Sequence, residues 1–430
     1  MKSVNFQELF KPSNAPYAII IGSDCVTGLQ TARILHRRHV PVVGLAKNPR
    51  SPFCRTKVVK KIIPADITGP GFIQVLKQIG PFLKQKAVLY PCTDLSVLLL
   101  SRHRAEIAEW FHVALPDEAV VEMLIDKFKF YSFAMKEGFP IPKTFFLYNR
   151  ADAEKAAQQL SYPAMLKPPL KTPEWDKNTG IKVCKIRDAK DLLEVYDRTC
   201  RWAEVLMVQE WIEGGDTDLF TSNCYFSRDS RCQVIFISRK LRQWPHEVGI
   251  GCFSEEIRND VVRDETIRLF EHVRYHGLGY LEMKYDPGRR KHYIIEPNIG
   301  RPTGRSANAE AGGVELIYTM YCDCVGWPLP ENREQTYRGA KWIYLRRDLQ
   351  SVFKHWRRGN LTLGQWLKSL RGVKYDAVFS WSDPLPFFED FRLKLAGQIF
   401  KKNHSPEDGD QPAKTAAGNG KLEAAEKVSR

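Results

Sequence analysis

Between residues 17 and 122 the chain alternates short apolar runs with helix-like stretches, and that alternation leaves few folds open. The run "YAIIIG" (17–22) ends in glycine, as a strand buried on both faces does. A helix-like stretch from Thr27 to about Arg38 follows, and "VPVVGLA" reads as a second strand. "KVVKKIIP", "AVLYPCTD" and "HVALPD" continue the series, with helical segments at 70–85 and 94–110 between some of them. The pattern predicts a doubly wound parallel sheet, an α/β domain over residues 1–122.

The first turn, Gly22-Ser-Asp-Cys-Val-Thr-Gly28, departs from the dinucleotide fingerprint, and no acid ends the second strand to hold a ribose. It is expected to be a tight turn between strand and helix. Asp94 follows "AVLYP", at the end of a strand where open sheets bind ligands. The competing role for it is to cap the next helix.

The pattern changes near Asp126. "DKFKFYSFAMKEG" is an amphipathic helix stopped by glycine. Strand-like "KTFFLY", "YPAMLK", "IKVCKI" and "VLMVQEWI" follow, then three more strand segments to residue 297 interrupted by a helix around 259–276. A helix over 307–325 closes the region. Mostly antiparallel strands with interspersed helices predict a separate α+β domain, residues 123–330. Residues 331–402 turn basic and aromatic and read as a mainly helical segment, and 403–430 read as a disordered tail.

The formal net charge of +15 suits an anionic partner but does not choose among nucleotide, nucleic acid, lipid headgroup and acidic metabolite. The ten cysteines form no CxxC pair and no clustered histidine joins them, which argues against zinc and for reduced thiols. "MKSVNFQELF" lacks the apolar core of a signal peptide, and no apolar run approaches the roughly 20 residues of a membrane span. A soluble, cytoplasmic protein is expected.

The densest chemistry is in a hairpin. "YLEMKYD" and "HYIIEPN" flank the turn "PGRRK", and a turn centred near Arg289 sets Glu282 opposite Glu296. Asn298 shares a face with Glu296. Two opposed carboxylates repel unless a cation lies between them, and such hard oxygen ligands suit Mg²⁺. Neutralisation by Lys284 or a nearby arginine is the competing account.

Other clusters point toward a nucleotide. Lys167 ends "YPAMLK" and can reach a phosphate, or can simply be a solvated strand end. In "VLMVQEWIEGGDTD" the main chain from Glu210 to Ile212 can offer adenine an acceptor and a donor. Asp216 or Asp218 can then accept ribose hydroxyls, the alternative being a β-turn with solvated acids. Lys240 and Arg242 in "SRKLRQWPHEVGIG" alternate onto one strand face, placed to hold phosphoryl charge or a carboxylate, or else to line a basic edge strand. Arg301 and Arg305 follow the hairpin and can offset charge that builds beside a γ-phosphate.

Taken in order, these motifs resemble the ATP-grasp superfamily, and most closely its carboxylate–amine ligase branch, over roughly residues 15–330. The resemblance implies a Rossmann-like pre-ATP-grasp domain followed by an ATP-grasp domain. It implies that Lys127 and Lys167 bind the ATP phosphates, that Glu210 and Ile212 form the adenine hinge, and that Asp218 or Asp216 holds the ribose. Glu282, Glu296 and Asn298 match the ligands of two magnesium ions, for which Mn²⁺ is a substitute, and Arg301 matches the arginine after the "ExN" motif. Two departures stand out. The phosphate loop, usually glycine-rich, reads "PPLKTPEWDKNTG", so Lys171 or Lys182 can take a role there. "NIGR" carries an extra residue, so Arg305 can serve in place of Arg301.

The implied reaction joins a small carboxylate to an amine through an acylphosphate, with ADP and phosphate as products and no cysteine nucleophile. The alternative is a non-catalytic ATP-grasp-like protein whose basic segment binds an anionic membrane or nucleic acid. Nothing resembling a nucleic-acid readout motif supports the latter partner. In the basic segment, Leu345, Leu349, Val352, Phe353 and Trp356 recur at helical spacing. Packing of this helix on the ATP-binding domain is preferred to peripheral membrane contact through 338–402. A homodimer is left open.

Overall fold

The computed structural model describes residues 5–169, 173–180, 183–245 and 249–402. Lys171, Lys182 and the 403–430 tail lie outside the described residues.

The expected parallel sheet is present. Strands β1 (Ala18–Ile21), β2 (Val42–Ala46), β3 (Lys61–Pro64), β4 (Ala87–Pro91) and β5 (Phe111–His112) lie in the order β3-β2-β1-β4-β5, all parallel. Every residue of β1, β2 and β4 is buried, which is why these strands read as unbroken apolar runs. Strand order reverses beside β1, so a crevice opens at the carboxyl ends of β1 and β4. The β1 turn is as tight as expected. A Cβ on Gly28 would sit 2.4 Å from the Gly22 carbonyl oxygen, so only glycine lets the helix Val26–Arg37 start there.

Four antiparallel strands follow, β6 (Thr144–Leu147), β7 (Ala164–Lys167), β8 (Cys184–Ile186) and β9 (Leu206–Glu210), in the order β6-β9-β7-β8. They pack on helices Arg150–Gln159 and Ala189–Thr199 around a separate apolar cluster that includes Leu166, Trp175 and Leu192.

The largest sheet has seven strands. It comprises β10 (Leu219–Phe226), β11 (Cys232–Trp244), β12 (Ile250–Glu256), β13 (Gly277–Asp286), β14 (Lys291–Ile299), β15 (Lys341–Ile343) and β16 (Val373–Asp376). Their order is β14-β13-β10-β11-β12-β15-β16. The segment after residue 331 is therefore not simply helical, because β15 and β16 extend this sheet.

One further expectation fails locally, and one holds through a different face. The helix foreseen over 307–325 is two, Ala307–Ala311 and Leu316–Val325, broken at Gly312-Gly313 where Gly313 has φ +83°. In the basic segment, the helix Leu345–Arg357 buries polar Asp348 and Ser351 and leaves Leu349, Phe353 and Trp356 exposed. The apolar stripe is thus not the packed face. A buried ion pair between Asp348 and Arg242 holds the helix to the sheet. No described helix is long and apolar enough to cross a membrane.

Candidate active site

The hairpin forms as expected, with one refinement. Asp286 pairs with Lys291 and Met283 with Ile294, a register that by itself would set Glu282 against Ile295. A bulge beside Met283 shifts it by one residue, and Glu282 faces Glu296. Asn298, two residues on, lies opposite Tyr280. Both carboxylates and the amide therefore share one face of β13 and β14.

Cations surround this face. The Glu282 carboxylate accepts hydrogen bonds from Lys240 Nζ at 2.8 Å, from Arg305 at 3.1 Å and from the Tyr280 hydroxyl at 3.2 Å. Burial pushes its carboxyl up, but Lys240 and Arg305 together outweigh burial and hold it at about 2. Lys240 is itself buried, and that burial lowers its ammonium despite Glu282. Lys127 Nζ donates to Glu296 at 2.9 Å. Burial disfavours the Lys127 charge, and Glu296 more than offsets this, so its pKa is raised. Arg301 donates to the Asn298 side-chain oxygen at 2.7 Å. Lys284 takes no part in this, because it donates to the Ile212 carbonyl at 2.8 Å.

The local structure explains how each group arrives. Asp126 caps the helix Lys127–Lys136 by accepting from the Lys129 amide, which places Lys127 at the helix start, pointing to β14. Gly300 has φ +67°, and a Cβ there would meet Leu115 at 2.3 Å. The extra residue in "NIGR" is thus a left-handed turn that brings Arg301 back over the sheet. Arg301 Nε then reaches Asp94 at 2.6 Å, across the crevice beyond β4. Asp94 is not the helix cap; Thr93 is, and Asp94 is the first residue of the helix Asp94–Arg102.

The structure separates Arg242 from Lys240. A bulge at Leu241 breaks the alternation in β11, with Lys240 opposite Ser254 and Arg242 opposite Phe253. Arg242 therefore faces Asp348 and Ser369 of the C-terminal segment, away from Glu282. It is a structural anchor in this arrangement.

In the stretch expected to read adenine, the Glu210 amide donates to the Lys143 carbonyl and the Trp211 amide to the Pro163 carbonyl. The Glu213 amide donates to Asp286, and among the described residues the Ile212 amide has no acceptor outside regular structure. The Glu210 side chain is held by Arg289 and the Ser161 amide. Asp216 is occupied by both the amide and the side chain of Gln243. Among the described residues, Asp218 accepts only from the Gly215 amide in its own turn. Lys167 ends β7, on the four-stranded sheet.

Sequence reasoning passed over Tyr280 and the Asp94–Arg301 contact. Tyr280 could have been found, because it lies two residues before Glu282 on the same strand face. The Asp94–Arg301 contact joins residues 207 positions apart and no local signal announces it.

A metal and a nucleotide suit these groups. Two carboxylates and an amide oxygen converge in register, a hard donor set for Mg²⁺. Among the described residues, the Arg305 Nη1 atom is buried with no hydrogen-bond partner, an orphan donor that an incoming anion would satisfy. Lys127, Lys240 and Arg305 neutralise these carboxylates.

The chain matches no protein-family model. It is 25% identical over 308 residues to a D-aspartate ligase of Enterococcus faecium (strain Aus0004), a match spanning 67% of this chain and 72% of that ligase. Among solved structures it resembles the N5-carboxyaminoimidazole synthetase of Staphylococcus aureus complexed with ADP, with TM-score 0.62 and 16% identity over 81% of this chain and 87% of that one. Phosphoribosylglycinamide synthetase of Anaerococcus prevotii gives 0.58 and 15% over 76% and 80%. The biotin carboxylase domain of the Hydrogenobacter thermophilus 2-oxoglutarate carboxylase, in complex with MgADP, gives 0.56 and 11% over 75% and 72%. At these identities the structural likeness establishes the fold, and the sequence match agrees with the motifs. The chain shares the fold of these three enzymes and is similar in sequence to the D-aspartate ligase, in agreement with motifs that resemble the carboxylate–amine ligase branch of the ATP-grasp superfamily.

Proposed function

We propose that the chain joins a carboxylate to an amine through an acylphosphate, with ATP as the phosphoryl donor and ADP and phosphate as products. The observation that carries this reading is the Glu282–Glu296 register with Asn298 beside it, ringed by Lys127, Lys240, Arg301 and Arg305. A degenerate scaffold would have no reason to keep all three ligands and all four cations together.

On this reading residues 1–122 are the pre-ATP-grasp domain, 123–330 the ATP-grasp domain, and 331–402 an extension that completes its sheet. Glu282, Glu296 and Asn298 would hold two Mg²⁺ ions, or Mn²⁺ in their place, which would neutralise phosphate oxygens as Lewis acids. The Glu210 carbonyl and Ile212 amide read the adenine, and Asp218 holds the ribose. Lys127 exchanges Glu296 for a phosphate oxygen, Lys167 takes another, and Arg305 meets the charge of the transferring group with its unpaired nitrogen.

The chemistry needs positioning more than covalent help. An oxygen of the substrate carboxylate attacks the γ-phosphorus as the bond to ADP breaks. The amine lone pair then attacks the acyl carbon, the C–N bond forms, phosphate leaves and the amine gives up a proton. The Asp94–Arg301 contact, at the crevice of the first sheet, supports a substrate position there.

The test is product analysis with hydroxylamine as a surrogate amine. With the correct acid present, ADP, phosphate and an acyl hydroxamate are expected, and D-aspartate is the first acid to try, given the relative's name. Formation of AMP and pyrophosphate would overturn the proposal.

A further inference from the structure

From Leu345 onward the C-terminal segment turns its aspartates inward and exposes aromatic and basic side chains. Asp348 is fully buried against Arg242, Asp383 against Arg33, and Asp390 against Arg346. Asp376 accepts the amides of Leu345, Val378 and Phe379. With those carboxylates consumed inside, the outer side carries Lys354, Arg357, Arg358 and Lys368, all exposed.

Among them stand large apolar side chains with no cover. Phe353 is 57% exposed, Trp356 59%, Leu363 63% and Leu367 55%. Phe353 and Trp356 lie on the helix Leu345–Arg357, while Leu363 and Leu367 lie one turn apart on the next helix, Leu363–Ser369. Trp366 of the second helix donates to Asp348 of the first at 3.0 Å, so the two helices are fixed to one another and to the sheet. Trp381, 89% exposed, continues the apolar character past β16.

We propose that this helix pair is a docking surface for an anionic phospholipid membrane. Aromatic and leucine side chains among lysines and arginines match the boundary between headgroups and acyl chains, where apolar burial and attraction to anionic lipid act together. A second copy of the chain is a poorer occupant, because a two-fold interface here would set this basic face against itself. Nucleic acid would match the charge but leave Leu363 and Leu367 against a polar backbone. Since no described helix can span a bilayer, the contact is one that lies on the surface.

Flotation of the full-length protein with vesicles tests this. One set is phosphatidylcholine alone; in the other about a third of the lipid is phosphatidylglycerol. The wild type should float with the anionic vesicles, and F353S/W356S should reduce the bound fraction by about tenfold. K354E/R358E should reduce it similarly and remove its salt dependence. Both variants lie outside the ATP site, so melting temperature and ATP turnover should hold, which separates lost docking from misfolding. Equal flotation of wild type and F353S/W356S would overturn the proposal. So would equal binding to both vesicle types, or a wild-type dimer in sedimentation that F353S/W356S dissociates, which would assign the face to a second copy.

Discussion

Arg301 holds Asp94 through its Nε at 2.6 Å and the Asn298 oxygen through a terminal nitrogen at 2.7 Å, so one guanidinium ties the metal-type hairpin to the crevice of the first sheet. Gly300 makes this geometry available, because its left-handed turn is what redirects the chain. Asp94 is half exposed, so its value lies in orienting Arg301 and little in stability.

Replacing Asp94 by Asn should therefore leave the melting temperature within a degree or so and the KM for ATP within about twofold, while kcat falls about tenfold. Steady-state kinetics with ATP and acid varied separately checks this. An unchanged kcat would remove Arg301 from the site.

Glu282→Gln leaves Lys240 and Arg305 buried beside a neutral amide. Breaking a buried pair of this kind costs about 3–5 kcal/mol, measurable by urea unfolding at neutral pH without nucleotide. The difference should depend on acidity in one direction. The Glu282 carboxyl is depressed from 4.5 to about 2, so its contribution is present in full above 4.5 and is lost as pH falls toward 2. Wild type and Glu282→Gln should thus converge in stability below pH 4.5, and a gap that widened there would contradict the charge assignment.

Arg242 and Asp348 form the anchor of the C-terminal segment. Asp348→Asn should destabilise by about 3 kcal/mol, since it leaves Arg242 buried without its carboxylate. It should also open residues 345–369 to limited proteolysis, while the folded protein keeps its affinity for ATP. If affinity fell in step with stability, Arg242 would belong to the nucleotide site after all.

Much of this site was legible because its signals are local. The Glu282–Glu296 pairing follows from counting outward from a hairpin turn, and the count succeeds because a bulge compensates for the turn's true centre. The parallel sheet was legible from runs such as "AIII", buried on both faces. Alternation failed at Leu241, where a bulge leaves no mark in composition, and Arg242 was misplaced with it. The helix Leu345–Arg357 packs on the sheet as expected, but amphipathicity gives a helix two faces without saying which one the sheet takes. A buried Asp348–Arg242 pair, 106 residues apart, decided that question.

The central claim is that Glu282, Glu296 and Asn298 receive a metal that arrives with ATP. Calorimetry of ATP binding, with and without Mg²⁺, on wild type and on Glu296→Gln tests it most directly. Magnesium should tighten ATP binding to the wild type by about tenfold or more, and Glu296→Gln should lose most of that gain. Equal affinity in all four conditions would contradict the account.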